Sequence, residues 1–234
     1  MKSNKKEFIL VSKKEEAENV TSLFFSPIGW AGYNFTSGQY VNIIPPGVIG
    51  HGKSYTISSS PSEKFVRLTI KRKGKVSSAL IDLPLNSKIY FDGPYGYFYP
   101  EDMCSEVVMI AGGIGVTPFR SVISDIIAQK KETKVTLFYS NQNLKDIAFF
   151  EELNEISKNN PQIVIEYCLT QEKTKHPLVQ NYSRIDEKIL KYRLASFSEK
   201  SYYVCGSISF VNDMWQLLKT LGASEADIFT ESFF

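Results

Sequence analysis

Three residues of different chemistry stand close together in the stretch KSYT: Lys53 is a cation, Tyr55 carries an aromatic ring and Thr56 carries a hydroxyl. In a β-strand, Lys53 and Tyr55 project to one face and Thr56 to the other. A cation and a flat ring on one face can hold a ligand that is both anionic and planar. The same pattern also occurs on ordinary surface strands, so this stretch alone leaves both interpretations open.

Glycines are concentrated in AGGIGVTPF (111–119), next to the apolar run VVMIA (107–111). The run is typical of a parallel strand buried on both faces, and apolar side chains then recur at helical spacing. Gly113 and Gly115 permit a tight turn and let a diphosphate approach the backbone, where the helix N-terminus offers free N–H groups. Pro118 suits the first turn of that helix but stands where the usual fingerprint has its third glycine. The context favours dinucleotide binding over a purely structural turn.

A second chemical marker ends the stretch YYVCGS, where Cys205 is followed by Gly206. Both are predicted at the carboxyl edge of a parallel sheet, where the ligands of such sheets bind. A lone cysteine is more often a core residue. Its position at a strand end next to a glycine favours a place in the site.

The elements that must position these residues change character along the chain. Up to about residue 101, short β-like runs are broken by proline and glycine, which predicts an antiparallel barrel or sandwich with one short helix. Beyond it, strands and helices alternate, which predicts a parallel sheet with right-handed crossovers. We therefore expect two domains, residues 1–101 and 102–234. The predicted helix caps are Ser77, Asp146, Ser209 and Gly222.

The composition limits the classes of function. A chain of 234 residues is long enough for two domains, and 43% hydrophobic with 22% charged residues predicts a globular fold. The net charge of +2 gives no support for a nucleic-acid partner. The short basic cluster KRKGK (71–75) is either a solvated hairpin end or part of a phosphate site.

Cysteine and histidine usage indicates neither a metal centre nor a disulfide framework. Cys104, Cys168 and Cys205 are far apart in sequence, and His51 and His176 form no metal-binding pair. We therefore expect no metal, and a reducing compartment, the cytoplasm. The apolar stretch near the N-terminus is too short for a signal peptide or a membrane span, so no span is expected.

Five motifs stand in a recognisable order over almost the full length of the chain: KSYT (53–56), GKVSSAL (74–80), AGGIGVTPF (111–119), YVCGS (203–207) and TESFF (230–234). In this order and spacing the chain resembles the ferredoxin–NADP reductase superfamily. The resemblance implies an N-terminal, six-stranded, antiparallel flavin-binding β-barrel and a C-terminal α/β domain with a parallel sheet that binds a nicotinamide nucleotide.

In that family the barrel motif is Arg-x-Tyr-Ser/Thr, so the resemblance implies that Tyr55 lies against the flavin ring and Thr56 hydrogen-bonds near its N5 atom. Lys53 replaces the arginine that holds the flavin phosphates. Lysine keeps the charge but loses the bidentate fork, so FAD is expected and FMN stays open. The further cofactor-binding residues that the resemblance implies are Ser54, Lys71, Gly74, Val76, Ser77, Gly113, Gly115, Thr117, Cys205 and Gly206.

The implied reaction is hydride transfer from nicotinamide C4 to flavin N5, after which electrons pass to an acceptor. Thr56, Cys205 and Glu231 are the implied catalytic residues: the first orients N5, and the other two shape the nicotinamide pocket. Phe233 matches the family's Glu-x-Phe pattern, which implies an aromatic ring beside the flavin where the nicotinamide must enter. The alternative for the chain end, which includes Phe234, is an edge strand whose aromatic rings only pack.

The segment YSNQNLKD (139–146), after the second predicted parallel strand, bears on the choice of nucleotide. Ser140 and Asn141 can bond a 2′-phosphate and Lys145 can reach it, but Gln142 carries no charge. NADPH is therefore favoured only slightly over NADH. The sequence gives no indication of the oligomeric state.

A separate electron acceptor is expected, because the chain has no room for a fused ferredoxin-like or globin domain. The candidates are a ferredoxin, a flavodoxin, an oxygenase component or a small molecule. Two other functions stay open. A flavin-binding electron-transfer or regulatory module would not turn over nicotinamide, and a reductase of free flavin would purify without bound cofactor.

Overall fold

The computed structural model describes residues 5–29, 32–48, 52–100 and 106–233. Its strands form two sheets, one of six strands and one of five. The first sheet is antiparallel throughout and the second is parallel throughout. The predicted fold class, an antiparallel barrel followed by an α/β unit, is confirmed.

The antiparallel sheet has the strand order β4-β3-β6-β1-β2-β5. Its strands are β1 (Lys5–Ala17), β2 (Val20–Pro27), β3 (Tyr40–Ile43), β4 (Lys53–Thr56), β5 (Val66–Lys71) and β6 (Lys88–Tyr95), with the helix α1 (Lys75–Asp82) between the last two. The two ends of this order meet just beyond β4, where Ile57 bridges Leu68 and the Ser58 N–H donates to the Arg67 carbonyl oxygen at 2.8 Å. This pairing closes the sheet into a barrel.

Alternating side chains fill the interior of the barrel. Phe8 of β1 stacks on Phe91 of β6 with 4.1 Å between ring centroids, and Phe25 of β2 meets Phe91 edge-on at 5.0 Å. On β6, buried and more exposed residues alternate along most of the strand, as expected where one face is buried and the other meets solvent. The period-2 pattern of the sequence therefore places the motif strand β4 on the rim of a packed barrel.

The parallel sheet has the strand order β11-β10-β7-β8-β9. Its strands are β7 (Glu106–Gly112), β8 (Lys134–Asn141), β9 (Ile163–Leu169), β10 (Ser201–Ser207) and β11 (Ile228–Phe233), and its helices are α2 (Thr117–Ala128), α3 (Phe150–Asn159), α4 (Glu187–Arg193) and α5 (Ile208–Thr220). Separate apolar clusters cover the two faces of the sheet. The order reverses between β7 and β10, and ligands of open α/β sheets bind at such a switch point.

One predicted cap in the barrel half is wrong. Helix α1 begins at Lys75 and has Gly74 at its N-cap, so Ser77 lies inside the first turn. The Ser77 hydroxyl still serves the helix start, because its oxygen accepts hydrogen bonds from the N–H groups of Lys73 and Gly74 at 2.9 and 3.0 Å. A serine near a helix start can satisfy the free N–H groups from either position.

Two predicted caps in the α/β half are also wrong. Asp146 closes a short 3₁₀ turn, where its carboxylate accepts the Asn143 N–H at 3.0 Å, and α3 begins only after this turn. Ser207, rather than Ser209, is the N-cap of α5, and its hydroxyl accepts the Phe210 N–H at 3.3 Å. Ser207 and Ser209 both lie near the start of α5, and the N-cap of α3 is Phe149, a residue type that capping preferences do not indicate. Gly222 follows the end of α5 with φ of +95°, as the sequence predicts for a helix stop.

Among the helices of the described ranges, none combines the length and the apolar character that a bilayer crossing requires. Those ranges also hold no cluster of three or more histidine, cysteine, aspartate or glutamate side chains placed to bind a metal ion. Cys104, His51 and Phe234 lie outside the described residues. Cys168 and Cys205 are buried free thiols.

Candidate functional site

A cleft of about 700 Å³ lies where the barrel meets the carboxyl edge of the parallel sheet. Its volume is within the usual range for small-molecule and cofactor sites. The barrel side contributes all of β4, part of β5 and the start of α1, and the α/β side contributes the glycine turn and the end of β11. The lining includes these predicted site residues: Lys53, Ser54, Tyr55, Thr56, Lys71, Gly74, Val76, Ser77, Thr117, Glu231 and Phe233. Residues far apart in sequence are thus brought to one cavity.

Strand β4 presents the predicted cation, ring and hydroxyl to this cleft. Lys53 is exposed, the ring of Tyr55 is half-buried against the barrel core, and Thr56 is buried. Ser54 donates its hydroxyl hydrogen bond to Asn42 Oδ1 of β3 at 2.7 Å, so it holds the strand in place. Burial raises the pKa of Tyr55 to about 12, so its phenol is neutral at physiological pH.

Thr56 carries a buried polar atom that needs a partner. Its Oγ1 has no hydrogen-bond partner among the residues that the structure describes. Buried hydroxyls in folded proteins are nearly always hydrogen-bonded, and an unpaired one costs free energy. An orphaned hydroxyl at the wall of a cleft fits a ligand that brings a polar atom to it.

One end of the cleft is rich in positive charge. Lys53, Lys71, Lys73 and Lys75 line it together with the start of α1. The Ser77 hydroxyl is engaged with its own loop, accepting from backbone N–H groups and donating to the Gly74 carbonyl oxygen at 3.0 Å. Its contribution is therefore to shape the loop, while the lysines and the helix N-terminus supply the positive potential that suits a phosphate.

The glycine turn after β7 has two glycines with different roles. Gly113 adopts φ of +54°, and among the described residues nothing lies within 4 Å of where its Cβ would be. A Cβ on Gly115 would lie 2.3 Å from the Cys205 carbonyl oxygen, so only glycine lets the turn approach β10 this closely. Thr117 donates its hydroxyl hydrogen bond to the Ile114 carbonyl oxygen at 3.1 Å and stabilises the turn. Packing therefore explains Gly115, while Gly113 leaves open space for a ligand.

Packing also explains Gly206. A Cβ there would lie 2.7 Å from the ring of Phe210, and one on Gly112 would lie 2.8 Å from the same ring. The ring thus covers both glycines at the ends of β7 and β10. The sequence pairs Cys205 with Gly206 as a site marker, and the structure shows that Gly206 is needed for close packing at this edge.

Cys205 and Glu231 are partners in the parallel pairing of β10 with β11. Burial raises the pKa of Glu231 to about 7, and its Oε2 has no hydrogen-bond partner within the described part of the chain. Burial, followed by the nearby Glu231, raises the pKa of the Cys205 thiol well above its usual value. The raised pKa favours the neutral thiol of Cys205, and the pKa of Glu231 lies near physiological pH.

The residues predicted to select the nucleotide lie apart from the cleft lining, at the carboxyl end of β8. Asn141 is buried, and its backbone oxygen accepts the Thr170 N–H at 3.0 Å. Ser140 precedes it on the strand. Lys145 forms an ion pair with Glu18 at 2.8 Å, so its ammonium group is directed to the barrel half.

Sequence reasoning missed several residues at this site. Tyr40, Ile114 and Ser232 line the cleft but follow no motif of their own. Position offers a weak signal for two of them, because Ile114 lies inside the glycine turn and Ser232 directly follows Glu231. Tyr40 reaches the cleft only because β3 pairs with β4, which a local pattern does not reveal.

The arrangement fits a flavin. The cleft offers a half-buried aromatic ring at Tyr55, a hydroxyl on Thr56 without a partner among the described residues, and a cationic end with a helix N-terminus, a set of groups that suits a planar, anionic cofactor. The glycine turn and Glu231 approach the same cleft from the α/β side. The two halves thus meet where a flat cofactor and a nucleotide can stack.

Comparison with known proteins agrees with this geometry. The family model for the oxidoreductase FAD-binding domain matches residues 7–99, and that for the oxidoreductase NAD-binding domain matches residues 109–216. The chain is 28% identical over 236 residues to the flavohemoprotein of Bacillus subtilis, covering 97% of this chain and 59% of that protein. It is 29% identical over 202 residues to NADH-cytochrome b5 reductase 1 of Dictyostelium discoideum, covering 82% of this chain and 69% of that protein.

A solved structure shares the whole fold. It is a ferredoxin NADP⁺ reductase from Neisseria gonorrhoeae with bound FAD and NADP, with a TM-score of 0.83, 19% identity and 100% coverage of both chains. The barrel, the parallel sheet and the matched domains define a two-domain oxidoreductase that binds FAD and a nicotinamide nucleotide. Within that class, the two matched domains and the shared fold support a ferredoxin–NADP reductase-like oxidoreductase. The chain spans 59% of the Bacillus subtilis flavohemoprotein.

Proposed function

We propose that this protein is a flavin-dependent NAD(P)H oxidoreductase that passes electrons from a reduced nicotinamide nucleotide through FAD to a separate acceptor. The observation that carries the proposal is one cleft to which each domain brings a buried polar atom that has no hydrogen-bond partner in the described part of the chain: Thr56 Oγ1 from the barrel and Glu231 Oε2 from the α/β domain. An isolated binding module would need only the barrel half of this site.

The chain's own residues have separate tasks in this reaction. When bound, a flavin would supply the redox chemistry, that is, hydride acceptance and one- or two-electron transfer to an acceptor. Tyr55 supports the flavin ring, Thr56 orients its reactive edge, and Lys53 holds phosphate. Glu231 borders the nicotinamide and balances the positive charge of its oxidised ring when ionised. Cys205, fully buried and opposite Glu231 in the sheet, supports the strand that carries Glu231.

Phe233 is the proposed gate of the nicotinamide position. It lines the cleft and packs, partly buried, against the core of the α/β domain. A ring at this place must move before nicotinamide can stack on the flavin, so it favours release of the product nucleotide. The gate is thus a property of the C-terminal strand β11.

The nucleotide, the form of the flavin, the location and the acceptor complete the proposed function. The choice between NADH and NADPH stays open, because Lys145 is paired with Glu18, while one relative is named an NADH-dependent enzyme. FAD is favoured over FMN by the matched domain. Cytoplasmic location is proposed from the sparse cysteines alone. A haem protein or haem domain is a candidate acceptor beside those expected from the sequence, because relatives include flavohemoproteins and a cytochrome b5 reductase.

The absorption spectrum of the purified protein tests the proposal. A yellow protein whose flavin bands bleach anaerobically with NADH or NADPH is the expected result. A yellow protein that neither nucleotide bleaches would show a binding or electron-transfer module instead. A colourless protein that oxidises nucleotide only with added flavin would show a reductase of free flavin.

A further inference from the structure

Helix α2 carries buried polar residues in addition to its apolar face. Its apolar residues pack into the core of the parallel sheet, as the helical spacing predicts. On other faces, Arg120 is 6% exposed, Ser121 is 0% exposed and Asp125 is 9% exposed. Burying a polar or charged side chain costs desolvation free energy, so such side chains are buried where hydrogen bonds compensate this cost. The partners of this polar face lie in the barrel and in α3.

Two hydrogen bonds from the buried polar side chains of α2 reach the backbone segment that directly follows β4. Arg120 Nη1 donates to the Ser58 carbonyl oxygen at 2.8 Å, and Ser121 Oγ donates to the Ser59 carbonyl oxygen at 2.6 Å. Ser58 and Ser59 are fully buried and follow Thr56 almost immediately in the chain. The helix that begins at the glycine turn is therefore bonded directly to the segment that ends the flavin motif.

A buried charge network strengthens the same contact. Arg120 pairs with Glu63 of the barrel and with Glu152 of α3, which also accepts a hydrogen bond from Arg67 of β5 at 3.0 Å. Arg67 in turn pairs with Glu16 of β1. Burial opposes the charged form of Glu152, but the two arginines hold the pKa of its carboxyl below its usual value. Buried charges of one domain are thus compensated by opposite charges of the other, and removing one of them would leave its partner buried and unpaired.

The position of this contact links it to the chemistry. Thr117, which opens α2, lines the cleft, and Arg120 lies one helical turn further along. Thr56 lines the cleft from the barrel side. The contact between α2 and the segment after β4 therefore joins the two elements that continue from the opposite walls of the cleft.

We propose that Arg120 and Ser121 are positioning residues, which fix the flavin-bearing strand β4 against the nucleotide-bearing glycine turn. This inference rests on the proposed function. Hydride transfer needs the reacting atoms at roughly 3–3.5 Å, and a displacement of about 1 Å can cost on the order of 10²-fold in rate. A contact that fixes the two walls acts on the rate of the chemical step rather than on the affinity for either ligand.

The chain offers a matched control for this contact. Ser37, in the barrel, donates its hydroxyl hydrogen bond to Asp125 Oδ2 of α2 at 3.2 Å. It joins the same two domains through the same type of side chain, but it joins α2 one turn beyond Ser121, and its hydroxyl bonds Asp125 rather than the backbone of the segment after β4. Ser121→Ala and Ser37→Ala therefore each remove one buried interdomain hydrogen bond, and only the first acts next to the flavin motif.

The experiment compares both variants with wild type as flavin-loaded proteins. Anaerobic stopped-flow mixing with saturating NADH or NADPH measures the rate of flavin reduction, a titration measures nucleotide affinity, and hydrogen–deuterium exchange follows the amides of residues 57–63. Ser121→Ala should slow flavin reduction by about tenfold or more, with flavin content and nucleotide affinity unchanged and with faster exchange over residues 57–63. Ser37→Ala should stay within about twofold of wild type on every readout.

Arg120→Lys and Arg120→Gln extend the test. Lysine keeps the charge but not the fork that reaches Ser58 and Glu152 together, so it should restore part of the rate that glutamine loses. Wild-type rate and exchange in Ser121→Ala, or equal losses in Ser121→Ala and Ser37→Ala, would overturn the proposal. A wild-type protein that neither nucleotide reduces would overturn the proposed function instead, and exchange would still decide whether Ser121 fixes this segment.

Discussion

Cys205 on β10 and Glu231 on β11 stand opposite each other in the parallel sheet, with the thiol fully buried and the carboxyl oxygen Oε2 of Glu231 enclosed without a hydrogen-bond partner among the described residues. A buried carboxyl prefers its neutral form, which explains why burial raises the pKa of Glu231 to about 7. This pair gives the α/β side of the cleft a group that changes charge near physiological pH.

The first prediction concerns stability against pH. Because the folded pKa of Glu231 is raised from 4.5 to about 7, the folded state binds this proton more tightly than the unfolded state. The stability that the neutral carboxyl contributes is fully present below pH 4.5 and is lost as pH rises through about 7. Relative to Glu231→Gln, wild type should lose roughly 3 kcal/mol across this window. Urea unfolding of both proteins at several pH values measures the difference, and parallel curves would contradict the assignment.

The second prediction concerns the phosphate end of the cleft. Lys53→Ala should weaken FAD binding about tenfold, because a charge-assisted contact to phosphate is lost. Lys53→Arg should bind FAD at least as tightly, since it restores a bidentate fork. Lys88→Ala, which removes an exposed lysine elsewhere on the barrel, is the control and should bind like wild type. Fluorescence titration of each apo-protein with FAD measures the affinity. If the three variants bound FAD equally tightly, the FAD phosphates would lie away from Lys53.

The third prediction separates the two kinds of glycine in the site. In Gly115→Ala the new methyl group would meet the Cys205 carbonyl oxygen at 2.3 Å, so the turn or β10 must shift. We expect a loss of at least about 2 kcal/mol in the free energy of unfolding. Gly74→Ala, where nothing among the described residues lies within 4 Å, should cost about 1 kcal/mol or less. Comparable unfolding free energies in the two variants would show that the close approach at Gly115 is misassigned.

The sequence predicted the parts of the site whose residues are close together in the chain. KSYT and the glycine turn were recognisable because each is one strand end or one turn, and both line the cleft. The pairing of Cys205 with Glu231 was implied only by family resemblance, because it depends on the register of two strands separated by helix α5. The polar face of α2 was missed, since helical periodicity reveals the apolar face and says nothing of a partner in another domain.

The fourth prediction tests the gate at the chain end. Phe233→Ala should tighten the binding of oxidised nucleotide roughly tenfold with flavin still bound, because no ring has to leave the nicotinamide position. Phe229 lies on the same strand and stacks on Tyr203 with 4.8 Å between ring centroids, so Phe229→Ala is the matched control. Difference spectra of the flavin during titration measure both. Loss of stability with unchanged nucleotide affinity in Phe233→Ala would show that its ring only packs.

Thr56 Oγ1, which has no hydrogen-bond partner within the described ranges, marks the reactive edge of the bound flavin in the proposed function. Thr56→Val keeps the shape of the side chain and removes only this hydroxyl, so the fold and the bound flavin should be retained. The deciding measurement is the anaerobic rate of flavin reduction by saturating NADH or NADPH in wild type and in Thr56→Val. The account predicts a flavin-loaded variant that is reduced about tenfold or more slowly. A flavin-loaded Thr56→Val protein that is reduced at the wild-type rate would contradict it.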